Sequence, residues 1–288
     1  MSIRFTPLGP ANTAAVDNIS FNYTATLLAN QCPTVILIHG FGASLRVWDD
    51  IYPLLSANYS VIRLDLKGSG FSSKPKDDQY APSDQAYLLL KLLKQLGQTN
   101  VVLVGHSLGG GVALITYFES MISAQDITVR GLILIDSAGY SQKLPFFVSV
   151  VRNPITRFFS YLMPAYYRVR FVLNRIMETK DRITADRIHK YSFFLNQSGS
   201  RYALCQTAKQ ILPQNASELA SKISMIQIPT LIVWGENDPV IPVENAFQFR
   251  KAIQKAQLAV LPDTGHIPQE ERPTETFSAM NQFLKELK

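Results

Sequence analysis

Residues 101–110 read VVLVGHSLGG: four apolar residues run into a Gly-x-Ser-x-Gly turn centred on Ser107, and a helix-like apolar stretch follows. A serine at a sharp strand-to-helix turn takes up a strained backbone, and the crowding there admits only small neighbours, here Gly105 and Gly109. Such a turn lifts the hydroxyl clear of the sheet. It also aims the N–H of the next residue, Leu108, at a reacting oxygen beside the helix N-terminus. Ser107 is thus a candidate nucleophile and Leu108 a candidate backbone donor. The same pattern arises in ordinary glycine-rich loops, so the surrounding chain has to decide.

Outward from this turn, short runs rich in Val, Ile and Leu recur at 20–28, 34–39, 60–65, 101–105, 131–136, 230–234 and 257–261. Helix-like stretches separate them, among them 84–96 and 244–255, and that alternation predicts an α/β architecture. The middle runs are apolar throughout, which suits a mostly parallel sheet with helices on both faces. With 288 residues, 47% of them hydrophobic, the chain can bury one large core and still carry an insertion.

The spacing breaks once. For roughly ninety residues after Asp136 no strand pair is expected, and Pro145, Pro154 and Pro164 punctuate the stretch. This divides the chain into a core formed by 1–138 and 225–288 and an inserted helical cap at 139–224. Phe146, Phe147, Val150, Val151, Ile155, Phe158, Phe159, Leu162 and Met163 follow near-helical periodicity, with a kink expected at Pro154. Such a face can pack on the core, line a substrate tunnel or rest on a lipid surface.

Charge singles out the same stretch. The chain nets +6, but residues 139–222 hold 13 Lys and Arg against 4 Asp and Glu. All of the excess positive charge thus lies in one aromatic block, and no nucleic-acid partner is expected. Arg152, Arg157, Arg168, Arg170 and Arg175 could instead meet anionic head groups or an acidic substrate. Peripheral membrane contact through the cap is therefore one expectation, beside the simpler one of a solvated face.

Cys32 and Cys205 lack metal-ligand spacing and form no disulfide framework, so two free thiols are expected. Four histidines without a ligand cluster give no reason to expect a metal, and no cofactor is expected. No run approaches the length of a membrane span, and MSIRFTPLGPANTAAVDN lacks the apolar centre of a secretory signal. A cytoplasmic protein is expected on these grounds.

A serine hydroxyl needs a base, and the base needs an orienting carboxylate. Of the histidines, His39 closes a strand, His106 adjoins Ser107 and should point away from it, and His189 lies in the polar DRITADRIHK segment. That leaves His266, in the loop DTGHIPQEERP after the last predicted strand, where α/β sites gather. For the acid, PTLIVWGENDPVIP places Asp238 on the loop before it, with Glu236 and Asp136 as rivals. A second anion donor is available from HGFGAS at 39–44, whose glycines let the Phe41 N–H face Ser107.

These motifs together resemble the α/β-hydrolase superfamily, in its capped serine-hydrolase form. HGFGAS resembles the family's oxyanion loop and DLKGSGFSSKP at 65–75 its strand-four signature. GHSLGG resembles the nucleophile elbow, and WGENDPVIP and GHIPQEERP resemble the acid and histidine loops. The resemblance implies an eight-stranded sheet, a helical cap after strand six, the chain order Ser107, Asp238, His266, and no cofactor.

A serine at the elbow sets the chain apart from relatives resembling haloalkane dehalogenases and epoxide hydrolases, which carry aspartate there. The leading expectation is hydrolysis of a small or lipid-like carboxylic ester through an acyl-enzyme. A carbon–carbon hydrolase acting on ring-cleavage dienoates is the alternative, favoured modestly by LILIDSAG at 132–139 and by arginines able to clamp carboxylates. A ligand-binding or receptor module on the same scaffold is a third reading, because fold does not dictate function.

Overall fold

The computed structural model describes residues 11–29, 33–122, 126–140, 143–212 and 216–287. Cys32 and the first ten residues, on which part of the thiol and leader expectations rest, lie outside the described residues. Eight strands form one sheet: β1 (Asn12–Val16), β2 (Ile19–Thr26), β3 (Thr34–Ile38), β4 (Val61–Leu64), β5 (Asn100–His106), β6 (Thr128–Ile135), β7 (Thr230–Gly235) and β8 (Ala256–Leu261). Their order is β1-β2-β4-β3-β5-β6-β7-β8, with β1/β2 and β2/β4 antiparallel and every other pair parallel.

The helices are α1 (Tyr52–Ser56), α2 (Pro82–Gln95), α3 (Leu108–Ile122), α4 (Phe146–Arg152), α5 (Pro154–Leu162), α6 (Ala165–Ile176), α7 (Ala185–Leu195), α8 (Ser200–Gln210), α9 (Ala216–Lys222), α10 (Glu244–Ala252), α11 (Pro268–Glu271) and α12 (Pro273–Glu286). Why the central strands are apolar at every position follows from the period of two. Ile36 and Ile38 of β3 and Val101 and Leu103 of β5 face one layer, with Leu89 of α2, Val112 of α3 and Phe249 of α10. Val35, Leu37, Val102 and Val104 face the other, with Leu55 of α1 and Met280 and Phe283 of α12. Both faces are covered, so no position in these strands can be polar without a partner.

All seven strands read from the sequence are present within a few residues. The eighth, β1, was not read from a run of its own: NTAAV is short, small and largely exposed, an edge strand held by pairing with β2 rather than by burial. Among the described residues no strand lies between β6 and β7; α4 to α9 fill that interval. Pro154 does not kink one helix there, as expected, but starts a new one. Asn153 takes an extended backbone and its Oδ1 accepts the N–H groups of Ile155 and Thr156 at 2.9 and 3.2 Å, capping α5 with Pro154 in its first turn. Among the described residues no helix is long and apolar enough to cross a membrane.

Ion pairs tie this helical excursion to the core. Asp50 meets Arg182 and Arg187, each at 2.8 Å; Arg187 also meets Glu270, and Lys190 meets Asp49 at 3.3 Å.

Candidate active site

β3 and β5 are adjacent and parallel, with Ile38 opposite Gly105, so the loops leaving their C-terminal ends meet. β5 ends at His106 and α3 begins at Leu108, which leaves Ser107 alone in the turn at φ +54°. That left-handed backbone costs a non-glycine residue energy and persists because its surroundings hold it. The Ser107 N–H donates to the Ile135 carbonyl at 3.0 Å, and its own carbonyl accepts from Gly110 and Ala138 at 2.9 and 3.0 Å. A Cβ on Gly105 would overlap the Gly109 carbonyl, and one on Gly109 the Ile38 carbonyl, so strand and helix can cross this closely only over glycines.

The Ser107 hydroxyl lies 3.0 Å from His266 Nε2, and His266 Nδ1 lies 2.7 Å from Asp238 Oδ2. Asp238 is held in turn: its Oδ1 accepts the N–H groups of Val240 and Ile241 at 2.7 and 3.1 Å. His266 and Asp238 are both buried. With the carboxylate accepting from Nδ1–H, the Nε2 lone pair is left for the serine proton. Glu236 is exposed and joins no part of this chain.

The remaining histidines are engaged elsewhere. His39 donates from Nδ1 to the Gly40 carbonyl at 2.8 Å and accepts the Leu66 N–H at Nε2 at 3.0 Å. His106 turns away from Ser107, and its Nε2–H donates to the His266 carbonyl at 2.7 Å. Burial holds both rings below the ordinary histidine range, His106 at about 3. His189 lies on α7 against Phe193.

Phe41 sits in the loop after β3, where Gly40 packs against the serine: a Cβ there would come within 3.1 Å of Ser107 Cβ. Leu108 opens α3, and the N–H of a first helical residue has no acceptor within its own helix. Both N–H groups thus lie on segments that flank the serine.

Ser107 and His266 open into a cavity of about 490 Å³. Phe41 from the core and Phe147, Val150, Phe159 and Leu173 from the helical excursion contribute to a lining that is apolar almost throughout, with Arg168 among its few polar members.

A profile of the α/β-hydrolase fold family matches residues 33–273. The chain belongs to that family. Lipase 1 of Psychrobacter immobilis is 29% identical over 254 residues, covering 86% of this chain and 76% of the lipase. The 2-hydroxy-6-oxo-6-(2'-aminophenyl)hexa-2,4-dienoic acid hydrolase of Metapseudomonas resinovorans is 28% identical over 267 residues, covering 91% of this chain and 87% of that enzyme. Among solved structures, a membrane phospholipase A superposes with a TM-score of 0.76 at 26% identity, covering 96% of this chain and 86% of that one. Ester and carbon–carbon hydrolases thus both stand among the relatives of this α/β hydrolase.

Three carboxylates around the site carry roles that sequence reading did not assign. Asp136, the rival acid, ends β6 fully buried; its Oδ1 accepts the Gly235 N–H at 3.0 Å. Burial, and then the neighbouring charge of Asp238, push its pKa well above the usual carboxylate range, which favours its neutral form. Asp136, Asp238 and His266 bring potential ligand atoms within 4.8 Å of one another, but the short Nδ1–Oδ2 contact uses the histidine nitrogen that a metal would need.

Asp65 accepts from Leu45 N–H at 2.7 Å, Phe71 N–H at 2.9 Å and Asn22 Nδ2 at 2.7 Å, pinning the end of the Phe41 loop to the sheet. Glu271 Oε2 accepts the N–H groups of Glu178, Thr179 and Gly265 at 2.7, 2.9 and 3.2 Å, and Oε1 that of Ile267 at 3.2 Å. It clasps the His266 loop to the segment after α6. The available signal was a carboxylate directly after an apolar strand in one case and an acidic pair beside the histidine in the other.

Proposed function

We propose that this α/β hydrolase cleaves carboxylic esters bearing an apolar, lipid-like acyl group, with Ser107 as nucleophile, His266 as general base and Asp238 as its orienting acid. The observation that carries the reading is the continuous hydrogen-bonded chain Asp238–His266–Ser107 at the floor of an apolar cavity. His266 Nε2 takes the hydroxyl proton as Ser107 Oγ attacks the acyl carbon. The tetrahedral anion is met by the Phe41 and Leu108 N–H groups, which bind it more strongly than the ground-state carbonyl and so lower the barrier. His266 returns the proton to the departing alcohol, then activates water to release the acid from Ser107. The helices between β6 and β7 act as the cap over this site, supplying most of the apolar wall. Its volume falls within the range of about 300–1,000 Å³ common for ligand pockets. The lipases among the relatives favour the same reading.

The test is a panel of p-nitrophenyl esters graded by acyl length, run beside a ring-cleavage dienoate, with Ser107→Ala as control. Catalytic efficiency should rise with chain length, by up to about 0.8 kcal/mol per buried methylene. Ser107→Ala should lower kcat at least about 1,000-fold. Ester turnover by Ser107→Ala at the wild-type rate would overturn the assignment.

One observation favours the carbon–carbon reading. Arg168 lines the cavity, and its buried Nε has no acceptor among the described residues, a position suited to a substrate carboxylate. Faster turnover of the dienoate than of every ester, with that rate lost in Arg168→Met, would select this reading instead.

A further inference from the structure

Helix α5 is built inside out. Ile155, Phe158, Phe159 and Leu162 have the i, i+3, i+4, i+7 spacing of a stripe that normally faces a core, yet they are 67%, 64%, 63% and 69% exposed. No residue of the helix is buried. Part of its polar side turns inward instead: half-buried Arg157 donates from Nη1 to the Val151 carbonyl at 2.9 Å and to Cys205 Sγ at 2.7 Å. Phe171 and Phe146 are exposed as well and line the same cavity as Phe159, with the Arg175 guanidinium over their rings at 4.7 and 5.4 Å.

The charge around this surface is uncompensated. Residues 137–177 contain no Asp or Glu, against Lys143, Arg152, Arg157, Arg168, Arg170 and Arg175. Among the described residues none of these six forms an ion pair, whereas Arg182, Arg187 and Lys190 further along are matched by carboxylates of the core. The surface is also continuous with the cavity, because Phe159, Ser160 and Met163 line it.

We propose that α5 and its flanking arginines form a docking face for an anionic lipid surface. Ile155, Phe158 and Leu162 enter the boundary between head groups and acyl chains, while Arg152, Arg170 and Arg175 meet the anionic groups above it. A second copy of this chain fits the face poorly, since pairing would bring two sets of unmatched guanidinium groups together with no carboxylate between them. Docked this way, the cavity mouth opens at the lipid boundary, and an acyl chain can pass from lipid to Ser107 without crossing water. That last step rests on the ester-hydrolase reading; the docking face itself does not.

The experiment is co-sedimentation with vesicles of phosphatidylcholine containing about a third phosphatidylglycerol, or of phosphatidylcholine alone, at low and high salt. Wild type and Ser107→Ala should be retained equally by the anionic vesicles and released by salt. The double variant Phe158→Ser/Leu162→Ser should lose retention about tenfold while hydrolysing a short water-soluble ester at the wild-type rate. Arg152→Gln/Arg170→Gln should lose retention at low salt only. Equal retention of wild type and the Phe158/Leu162 variant, or equal retention by both vesicle types at all salt concentrations, would overturn the proposal. So would a wild-type dimer that this variant dissolves, with no vesicle retention by either. Absence of ester turnover with vesicle retention intact would remove the ester reading and leave the docking face standing.

Discussion

Two aspartates lie within reach of one histidine, and their environments give them different tasks. Asp238 has both oxygens engaged by donors, His266 on one side and two backbone N–H groups on the other, so its negative charge is matched. Asp136 has one backbone donor and a carboxylate for a neighbour, and burial, followed by that neighbour, raises its pKa and favours the neutral form. An asparagine imitates a neutral carboxylic acid in shape and polarity but cannot replace an ionised one. Asp238→Asn should therefore lower kcat about 1,000- to 10,000-fold through loss of the histidine tautomer and of imidazolium stabilisation. Asp136→Asn should stay within about tenfold of wild type. Steady-state rates on a short ester decide; an equal loss in both variants would make Asp136 the working acid. The sequence offered both residues at strand ends and favoured Asp238 from the adjacency of its loop to that of His266. The raised pKa of Asp136 was not legible there, because it depends on burial and on a carboxylate that folding brings near.

At the scale of elements, the excursion between β6 and β7 meets the His266 loop through a few polar contacts, and Glu271 concentrates several of them. Its carboxylate accepts from Glu178 and Thr179 after α6 and from Gly265 and Ile267 on either side of His266. Glu271→Ala would leave two buried and two part-buried donors without this acceptor, at a cost of about 3 kcal/mol. A lowered urea midpoint measures that loss. The same variant should lower kcat more than it raises KM for a short ester, since the displaced group is His266 rather than the cavity wall; a stability loss with unchanged kcat would make Glu271 a clasp without influence on the site. Legibility at this scale followed the strength of the local pattern. Runs rich in Val, Ile and Leu mark β2 to β8 within a few residues, whereas β1 has a pattern too short and polar to stand out. Apolar periodicity carries through Pro154 and so predicts a kink; the Asn153 side chain, which caps a fresh helix, turns the same residues into two elements.

For the whole molecule, acid stability follows from histidines whose burial lowers their affinity for a proton. His106 is buried with its Nε2–H given to the His266 carbonyl, and its pKa falls from the ordinary 6.5 to about 3, chiefly through burial and then through the neighbouring His266. His39 is lowered likewise by burial. The unfolded chain takes up these protons below about pH 6.5 while the native state refuses them, so stability falls as the pH drops and stops falling for His106 near its folded value. Asp136 works in the opposite sense, since the native state keeps a proton that the unfolded chain gives up above the usual carboxylate value, and it adds stability on acidification. The two signs oppose each other in wild type, which makes a difference between variants the informative measurement. His106→Gln keeps an amide donor for the His266 carbonyl but cannot titrate. Between about pH 6.5 and about pH 4.5, wild type should lose roughly 2 kcal/mol more unfolding free energy than His106→Gln, with the Asp136 contribution common to both. Urea titrations at a series of pH values measure this. Parallel pH dependences for the two proteins would mean that His106 takes up its proton in the folded state, and that its burial does not set the acid limit of this fold.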